Sequence, residues 1–365
     1  MSWQLYEELA GSGVPVAFAD GDQLCMCYPA PAGDPDRQRV KALNVGAMIP
    51  NLRSAGARCV IVNGVLGPAS LETGLLPRTR VTICRLRAGI DTVERRLIAR
   101  QGRREVSGEL LREVRDAARR MDESSFAHAC VDTTGVPVGD VPGLVRAACS
   151  DWPGFTGRLP EAGGQLPARP GPAATGRVAL ITGPAGVGKS TIGFRFYRQC
   201  LSAGLTAGYV DLGQIGLLGP AVAGDTGNQR LKARNLAAIW RNYRDVGATH
   251  LVATGTITSQ ADRRLYAAEL AGADIADIRL RAASDELRMR IMSRGAGGSW
   301  PEPGDRLRGQ PAPFLTSVAD QAVAAAAALD RSDVGGVVID TTGRSPDQSA
   351  DLICNATGWP GHAGA

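Results

Sequence analysis

One run of residues can do chemistry together: Gly183-Pro184-Ala185-Gly186-Val187-Gly188-Lys189-Ser190, with Thr191 directly behind it. It fits G-x-x-x-x-G-K-[ST], a spacing that leaves backbone N–H groups free to wrap a triphosphate. Lys189 supplies a compact cation for the β- and γ-phosphates, and the Ser190 hydroxyl a ligand for Mg²⁺. Lysine is scarce in this chain: only Lys41, Lys189 and Lys232 occur, against many arginines. The segment before the loop, Val178–Thr182, is short, apolar and β-branched, which predicts a buried parallel strand. The segment after it predicts a helix over Thr191–Ala203, whose N-terminus adds partial positive charge.

Other candidates flank this loop. Asp211 ends the next predicted strand, on the side where a phosphate loop must open. An acid there could orient or deprotonate an acceptor hydroxyl, or reach Mg²⁺ through water. Arg230, Lys232, Arg234 and Asn235 open a helix after the loop Gly219–Gly227, and Lys232 reads either as an anion contact or as part of a solvated face. Asp225 reads as a turn or cap residue. Arg290 and Arg294 share a helical face ahead of the Gly/Pro-rich run Gly295–Gly309 and could close over a triphosphate as the base of a flap. Asp340-Thr341-Thr342-Gly343 comes directly after the last predicted strand. The third strand ends in Thr254-Gly255-Thr256, with no acid. His250 lies in an apolar run and reads as a core residue.

The elements that must position these groups alternate. Strands are predicted at Val178–Thr182, Thr206–Val210, His250–Thr254, Asp277–Arg281 and Gly336–Asp340. Helices are predicted at Thr191–Ala203, Asn228–Val246, Ser259–Leu270, Ser284–Arg294 and Thr316–Leu329. This pattern implies an α/β fold with a parallel sheet.

The first half repeats the part of the second half that lies beyond the phosphate loop. Asp20-Gly21-Asp22-Gln23-Leu24 matches Asp211-Leu212-Gly213-Gln214-Ile215 at an offset of 191, and Gln38-Arg39-Val40-Lys41-Ala42 matches Gln229-Arg230-Leu231-Lys232-Ala233 at the same offset. Asp132-Thr133-Thr134-Gly135 matches Asp340-Thr341-Thr342-Gly343, and Trp152-Pro153-Gly154 matches Trp359-Pro360-Gly361. A repeat this long predicts two tandem α/β domains, 1–153 and 177–361, joined by a Pro/Gly-rich linker at 154–176. Met1 aligns with Ile192, so the first copy lacks the opening strand and the phosphate loop. Either the chain begins downstream of its real start, or the first copy has decayed to a support domain. The break falls at the loop rather than at a domain edge, which favours the first. The two copies are expected to pair within the chain or across a homodimer.

The chain has 365 residues, is 44 % hydrophobic and carries a formal net charge of +5. No Lys/Arg run is interleaved with aromatics, so nucleic acid is not an expected partner. No signal peptide opens the chain, and no apolar run approaches membrane-spanning length. The eight cysteines are scattered, which fits reduced thiols in a cytoplasmic protein.

Together Gly183–Thr191, Asp211, the Arg230–Asn235 helix start, Arg290, Arg294 and Val338–Arg344 resemble the small-molecule kinases of the phosphate-loop (P-loop) NTPase superfamily. That branch holds nucleoside monophosphate kinases, adenylylsulfate kinases and chloramphenicol phosphotransferase-like proteins. The likeness covers 177–361 and, more faintly, 1–153. It implies a five-stranded parallel sheet, an ATP–Mg²⁺ site and a lid. By family role Lys189 and Ser190 hold phosphate and metal, Asp211, Arg230, Lys232 and Asn235 face the acceptor, and Arg290 and Arg294 belong to the lid. The implied activity is transfer of the γ-phosphoryl group of ATP to a hydroxyl or phosphate of a small molecule. The alternative is a nucleotide-binding ATPase, switch or accessory protein.

Overall fold

Val178 and Ile181 are wholly inaccessible, with Ala179 and Leu180 nearly so, as a strand with parallel neighbours on both sides requires. The structure is a computed structural model and describes residues 1–65, 80–101, 106–152, 155, 175–220, 224–297, 305, 307–332 and 335–359. In chain order the elements are α1 (Ser2–Gly11), β1 (Val16–Asp20), β2 (Cys27–Tyr28), α2 (Gln38–Ser54), β3 (Cys59–Asn63), β4 (Cys84–Arg87), α3 (Ile90–Gln101), α4 (Gly108–Glu123), β5 (Ala129–Asp132) and α5 (Val141–Ala148). They continue with β6 (Arg177–Thr182), α6 (Lys189–Ser202), β7 (Ala207–Asp211), β8 (Leu217–Gly219), α7 (Gln229–Asp245), β9 (His250–Thr254), α8 (Gln260–Glu269), β10 (Asp274–Arg281), α9 (Ser284–Gly295), α10 (Ala312–Asp330), β11 (Val337–Asp340) and α11 (Pro346–Thr357).

Every strand and helix expected after residue 177 is present, within a few residues. The principal sheet has the order β11-β10-β6-β9-β7-β2. Its first five strands are parallel, and β2 adds an antiparallel edge through Cys27↔Gly208 and Tyr28↔Ala207. A second sheet, β3-β1-β8, joins β1 to β3 in parallel and to β8 in antiparallel register. The short strands β2 and β8 were not expected from the sequence. Each half lends one of them to the sheet of the other, because two or three residues carry too little pattern to announce a strand.

The chain forms two compact units, one of Met1–Val14 with Arg78–Glu161, the other of Pro15–Pro77 with Ala162–Ala365. These do not match the expected boundary between 1–153 and 177–361. In the second half β6 lies between β9 and β10. Among the described residues β4 pairs with β5, while β1 and β3 share a sheet with β8.

Inside the larger unit α2 packs on α7, and one hydrophobic core draws on both, including Met48, Ile49 and Leu52 with Leu236, Trp240 and Tyr243. The contact is reciprocal. Asn51 Nδ2 donates to Asn235 Oδ1 at 3.0 Å, and Asn242 Nδ2 donates to Asn44 Oδ1 at 2.9 Å. Asn44 and Asn51 stand 191 positions before Asn235 and Asn242, so each helix offers the other the same two residues in antiparallel order, as in an isologous interface. The helix starts match too. Arg37 and Asn228 both adopt left-handed backbone. Asp34 and Asp225 each accept from two backbone N–H groups at the start of the next helix, which settles Asp225 as a cap.

In the smaller unit α1 packs on α5, where Arg146 Nη2 pairs with Glu8 at 2.8 Å. Arg96 donates to Thr133 Oγ1 at 3.0 Å and to its carbonyl at 2.8 Å.

One expectation needs correction. The helix α10 is 19 residues long with a hydropathy of 1.3, enough by length and composition to cross a membrane. Its acids tie it to its neighbours instead: Asp320 pairs with Arg288, and Asp330 with Arg279 at 2.8 Å. Leu315, Ala319, Ala322 and Leu329 are buried.

Candidate functional site

The loop between β6 and α6 is built so that only backbone can line it. Gly183 has φ +149°, and a Cβ there would stand 2.6 Å from the Leu280 carbonyl oxygen. Gly186 has φ +78°, and a Cβ there would meet Ile291 Cγ1 at 2.9 Å. Both positions therefore require glycine. Val187 is fully buried and anchors the loop from below. Lys189 opens α6, and its Nζ donates to the carbonyls of Gly183 at 3.0 Å and Pro184 at 2.9 Å, so the ammonium lies across the loop mouth. An amide cradle, a helix N-terminus and an ammonium fit a polyphosphate.

Ser190 Oγ donates to Asp211 Oδ2 at 2.7 Å. The same oxygen accepts from Thr254 Oγ1 at 3.3 Å, and Asp211 Oδ1 accepts from the Gly213 N–H at 2.7 Å. The Tyr209 hydroxyl touches Thr254 Oγ1 at 3.0 Å and the Ser190 carbonyl at 3.3 Å. The strand ends thus converge on one polar cluster. Thr254 takes the place where an acid was missing from the sequence, and its hydroxyl orients Asp211. Sequence reasoning gave neither Tyr209 nor Thr254 a role in the site. The signal available for Tyr209 was its position two residues before Asp211, on the same strand face.

Arg290 is a brace. Its Nη1 donates to the Val187 carbonyl and to Thr341 Oγ1, both at 3.0 Å, and its Nη2 donates to the Thr341 carbonyl at 3.0 Å. Its Nε donates to Glu286 Oε1 at 2.9 Å. These contacts hold the back of the phosphate loop against the end of β11. Arg96 grips Thr133 in the same way. Arg294 lies one turn further on and pairs with Asp305 at 3.0 Å, so the two arginines expected together in a flap are engaged separately. Of the expected flap Gly295–Gly309, residues 298–304 and 306 lie outside the described residues. Asp340 pairs with Arg281, and hydrogen bonds from Thr342, chiefly its backbone N–H, hold its carboxyl down at about 2.

The acceptor candidates separate. Asn235 is fully buried, with Nδ2 donating to the Ile215 carbonyl at 2.7 Å and Oδ1 accepting from Asn51. It holds the α2–α7 contact, with both ends of its side chain engaged inside the protein. Arg230 is exposed, and Asp225 caps its backbone N–H. Lys232 is half-buried, and burial pushes its ammonium below the ordinary lysine range despite Asp211, Asp225 and Asp262 nearby. Thr191 is exposed. His250 is half-buried, sits edge-on to Trp359 and shares a hydrogen bond with Thr249 Oγ1 at 2.8 Å; burial and Arg177 lower its pKa.

Solved structures overlap about half of this chain. The Mycobacterium tuberculosis APS kinase CysC, determined in complex with AMPPNP and APS, is 18 % identical and matches 50 % of this chain and 97 % of its own, with a TM-score of 0.34. A Deinococcus radiodurans tunicamycin resistance protein is 16 % identical over 50 % of this chain and 96 % of its own, with a TM-score of 0.34. A gluconokinase from Sinorhizobium meliloti 1021 is 13 % identical over 51 % of this chain and 98 % of its own, with a TM-score of 0.31. No protein-family model and no curated protein matches the chain.

Proposed function

We propose that this chain is a phosphotransferase that moves the γ-phosphoryl group of ATP, with Mg²⁺, to a hydroxyl or phosphate of a small molecule. The carrying observation is the join between the amide loop and the acid: Ser190, last residue of the loop motif, lies 2.7 Å from Asp211 at the end of β7. MgATP supplies an activated phosphoryl group whose charge the metal offsets. The loop amides and Lys189 hold the phosphates. The Ser190 hydroxyl donates its proton in a hydrogen bond to Asp211, so its oxygen would be free to hold Mg²⁺, which would offset phosphate charge. Asp211 Oδ1 accepts one hydrogen bond, from Gly213, which leaves a lone pair for the acceptor hydroxyl. As the new oxygen–phosphorus bond forms and the bond to ADP breaks, that proton passes to Asp211. Arg290 keeps the loop from moving under the load, which is positioning rather than contact.

We also infer that 1–153 and 177–361 are tandem copies joined at 154–176, with the first lacking the loop. The shared caps, left-handed residues and threonine grips support this. Eight free thiols support a cytoplasmic place for the protein. The partner is a small molecule rather than nucleic acid or membrane, and the α2–α7 contact supports pairing of the copies within one chain.

A second reading, a slow ATPase or switch, is favoured by Thr254 standing where an acid would anchor the metal. Calorimetry and labelled ATP decide. Wild type binds MgAMPPNP, and Lys189→Ala weakens binding roughly 100-fold through loss of charged hydrogen bonds. Ordinary binding by that variant removes both readings. Label transferred to an acceptor supports the kinase, and release of phosphate alone supports the switch.

A further inference from the structure

The two halves contain one lysine in two different circumstances. In the first, Lys41 is 2 % exposed and donates to Asp22 Oδ1 at 2.7 Å and to the Val65 carbonyl. The residues 191 positions later are Lys232, Gly213 and Thr256. Both partners of the lysine have changed. The carboxylate is gone, because Gly213 has no side chain. The carbonyl has another donor, since Thr256 O accepts from Gln229 Nε2 at 2.9 Å, and Gln229 Oε1 is itself engaged by the Tyr266 hydroxyl at 2.8 Å. Among the described residues Lys232 makes no hydrogen bond or ion pair.

Its stem is nevertheless held. A Cβ at Gly216 would stand 2.4 Å from Lys232 Cγ and 2.6 Å from its Cε, so the side chain lies directly on backbone. The first half has Cys25 there. A cation that is half-buried, fixed along its stem and in direct contact with no carboxylate, though Asp211, Asp225 and Asp262 lie nearby, is stabilised by an anion that reaches it. The loop bearing Gly213 is already ordered for this, since the Gly213 N–H is bound to Asp211, as the Asp22 N–H is to Asp20.

We propose that the acceptor carries an oxyanion, a carboxylate or a phosphate or sulfate ester, which Lys232 grips over Gly213 beside the hydroxyl that Asp211 orients. This rests on the kinase reading, and the test separates the two. The chain has three lysines, so protein labelled with ¹³C at lysine Cε gives three signals, assigned by Lys→Arg exchange. Lys189 reports the nucleotide, Lys232 the acceptor anion, and Lys41, already paired, serves as reference.

With the loop filled by MgAMPPNP, acetate or sulfate is expected to move the Lys232 signal saturably while acetamide does not. The stronger of the two anions distinguishes carboxylate from ester. Gly213→Asp is expected to move the Lys232 signal without any anion and to weaken the response to added anion at least 10-fold. Lys232→Met, a second variant, is expected to lose the thermal stabilisation that acetate or sulfate gives wild type. A Lys232 signal that ignores both anions, follows acetamide equally, or responds unchanged in Gly213→Asp overturns the subsite. A Lys189 signal that ignores MgAMPPNP removes the kinase reading instead, and the Lys232 result then stands or falls alone.

Discussion

Asp20-Gly21-Asp22 and Asp211-Leu212-Gly213 end equivalent strands, yet one is closed and the other open. In the first half the acid, the second acid and Lys41 satisfy one another, and burial pushes the Asp20 carboxyl up. In the second half the same backbone turn is bound to Asp211, but Lys232 has no partner among the described residues, and Ser190 of a phosphate loop lies against the acid. Beside Asp20 the neighbouring charges answer one another, whereas beside Asp211 and Ser190 one charge is left for a ligand. The same contrast separates the arginines. Arg96 and Arg290 grip a threonine identically, and only Arg290 has the Val187 carbonyl of a loop to brace.

The comparison can be broken at three levels. The largest effect belongs to the loop. Gly183→Val puts a branched side chain where a Cβ already stands 2.6 Å from Leu280 O. A cost of about 3 kcal/mol and loss of MgAMPPNP binding are expected, read by denaturant midpoint and calorimetry. A stable variant that still binds nucleotide would show that the loop is not the organising element.

Next come the paired asparagines. Asn235→Ala leaves the Ile215 carbonyl and the Asn51 amide without their partner, at about 2 kcal/mol. Asn44→Ala should cost less, about 1 kcal/mol, because the Leu24 carbonyl keeps the Tyr243 hydroxyl and Asn242 is only half-buried. Equal losses would mean that the two ends of the contact are equivalent after all.

The smallest effect sharpens the lysine contrast. Lys41→Met removes a paired cation and should destabilise by about 1 kcal/mol, since Asp22 is half exposed. Lys232→Met should leave stability unchanged or raise it. Because burial lowers the Lys232 pKa, the unfolded chain binds this proton more tightly, and wild-type stability rises with pH up to the ordinary value of 10.5. The advantage of Lys232→Met should therefore shrink as pH approaches that value. A destabilisation by Lys232→Met as large as that by Lys41→Met would mean that Lys232 has a structural partner.

The elements of the second half were legible because their signals are local. Five strands alternate with helices, and Asp225, read from sequence as a turn or cap residue, does cap the helix that follows. The phosphate loop was legible because its glycines answer a local steric demand. The roles of Arg290 and Asn235 were not. Spacing placed Arg290 and Arg294 on one face, but Arg290 is claimed by Val187 and Thr341, residues 103 and 51 positions away. Asn235 is claimed by Asn51, 184 positions away. No periodicity within a helix encodes a partner at that distance.

The chain order of its residues determined the cradle, the strand before it, the helix after it and the repeat that joins the halves, since each depends on neighbours a few positions apart or on direct matching of letters. Only the tertiary structure decided which half lends which short strand, why the compact units cut across the repeat, and which of two equivalent lysines keeps a counter-ion. Those outcomes depend on hydrogen bonds between distant segments, where one glycine in place of an acid changes which partner is within reach.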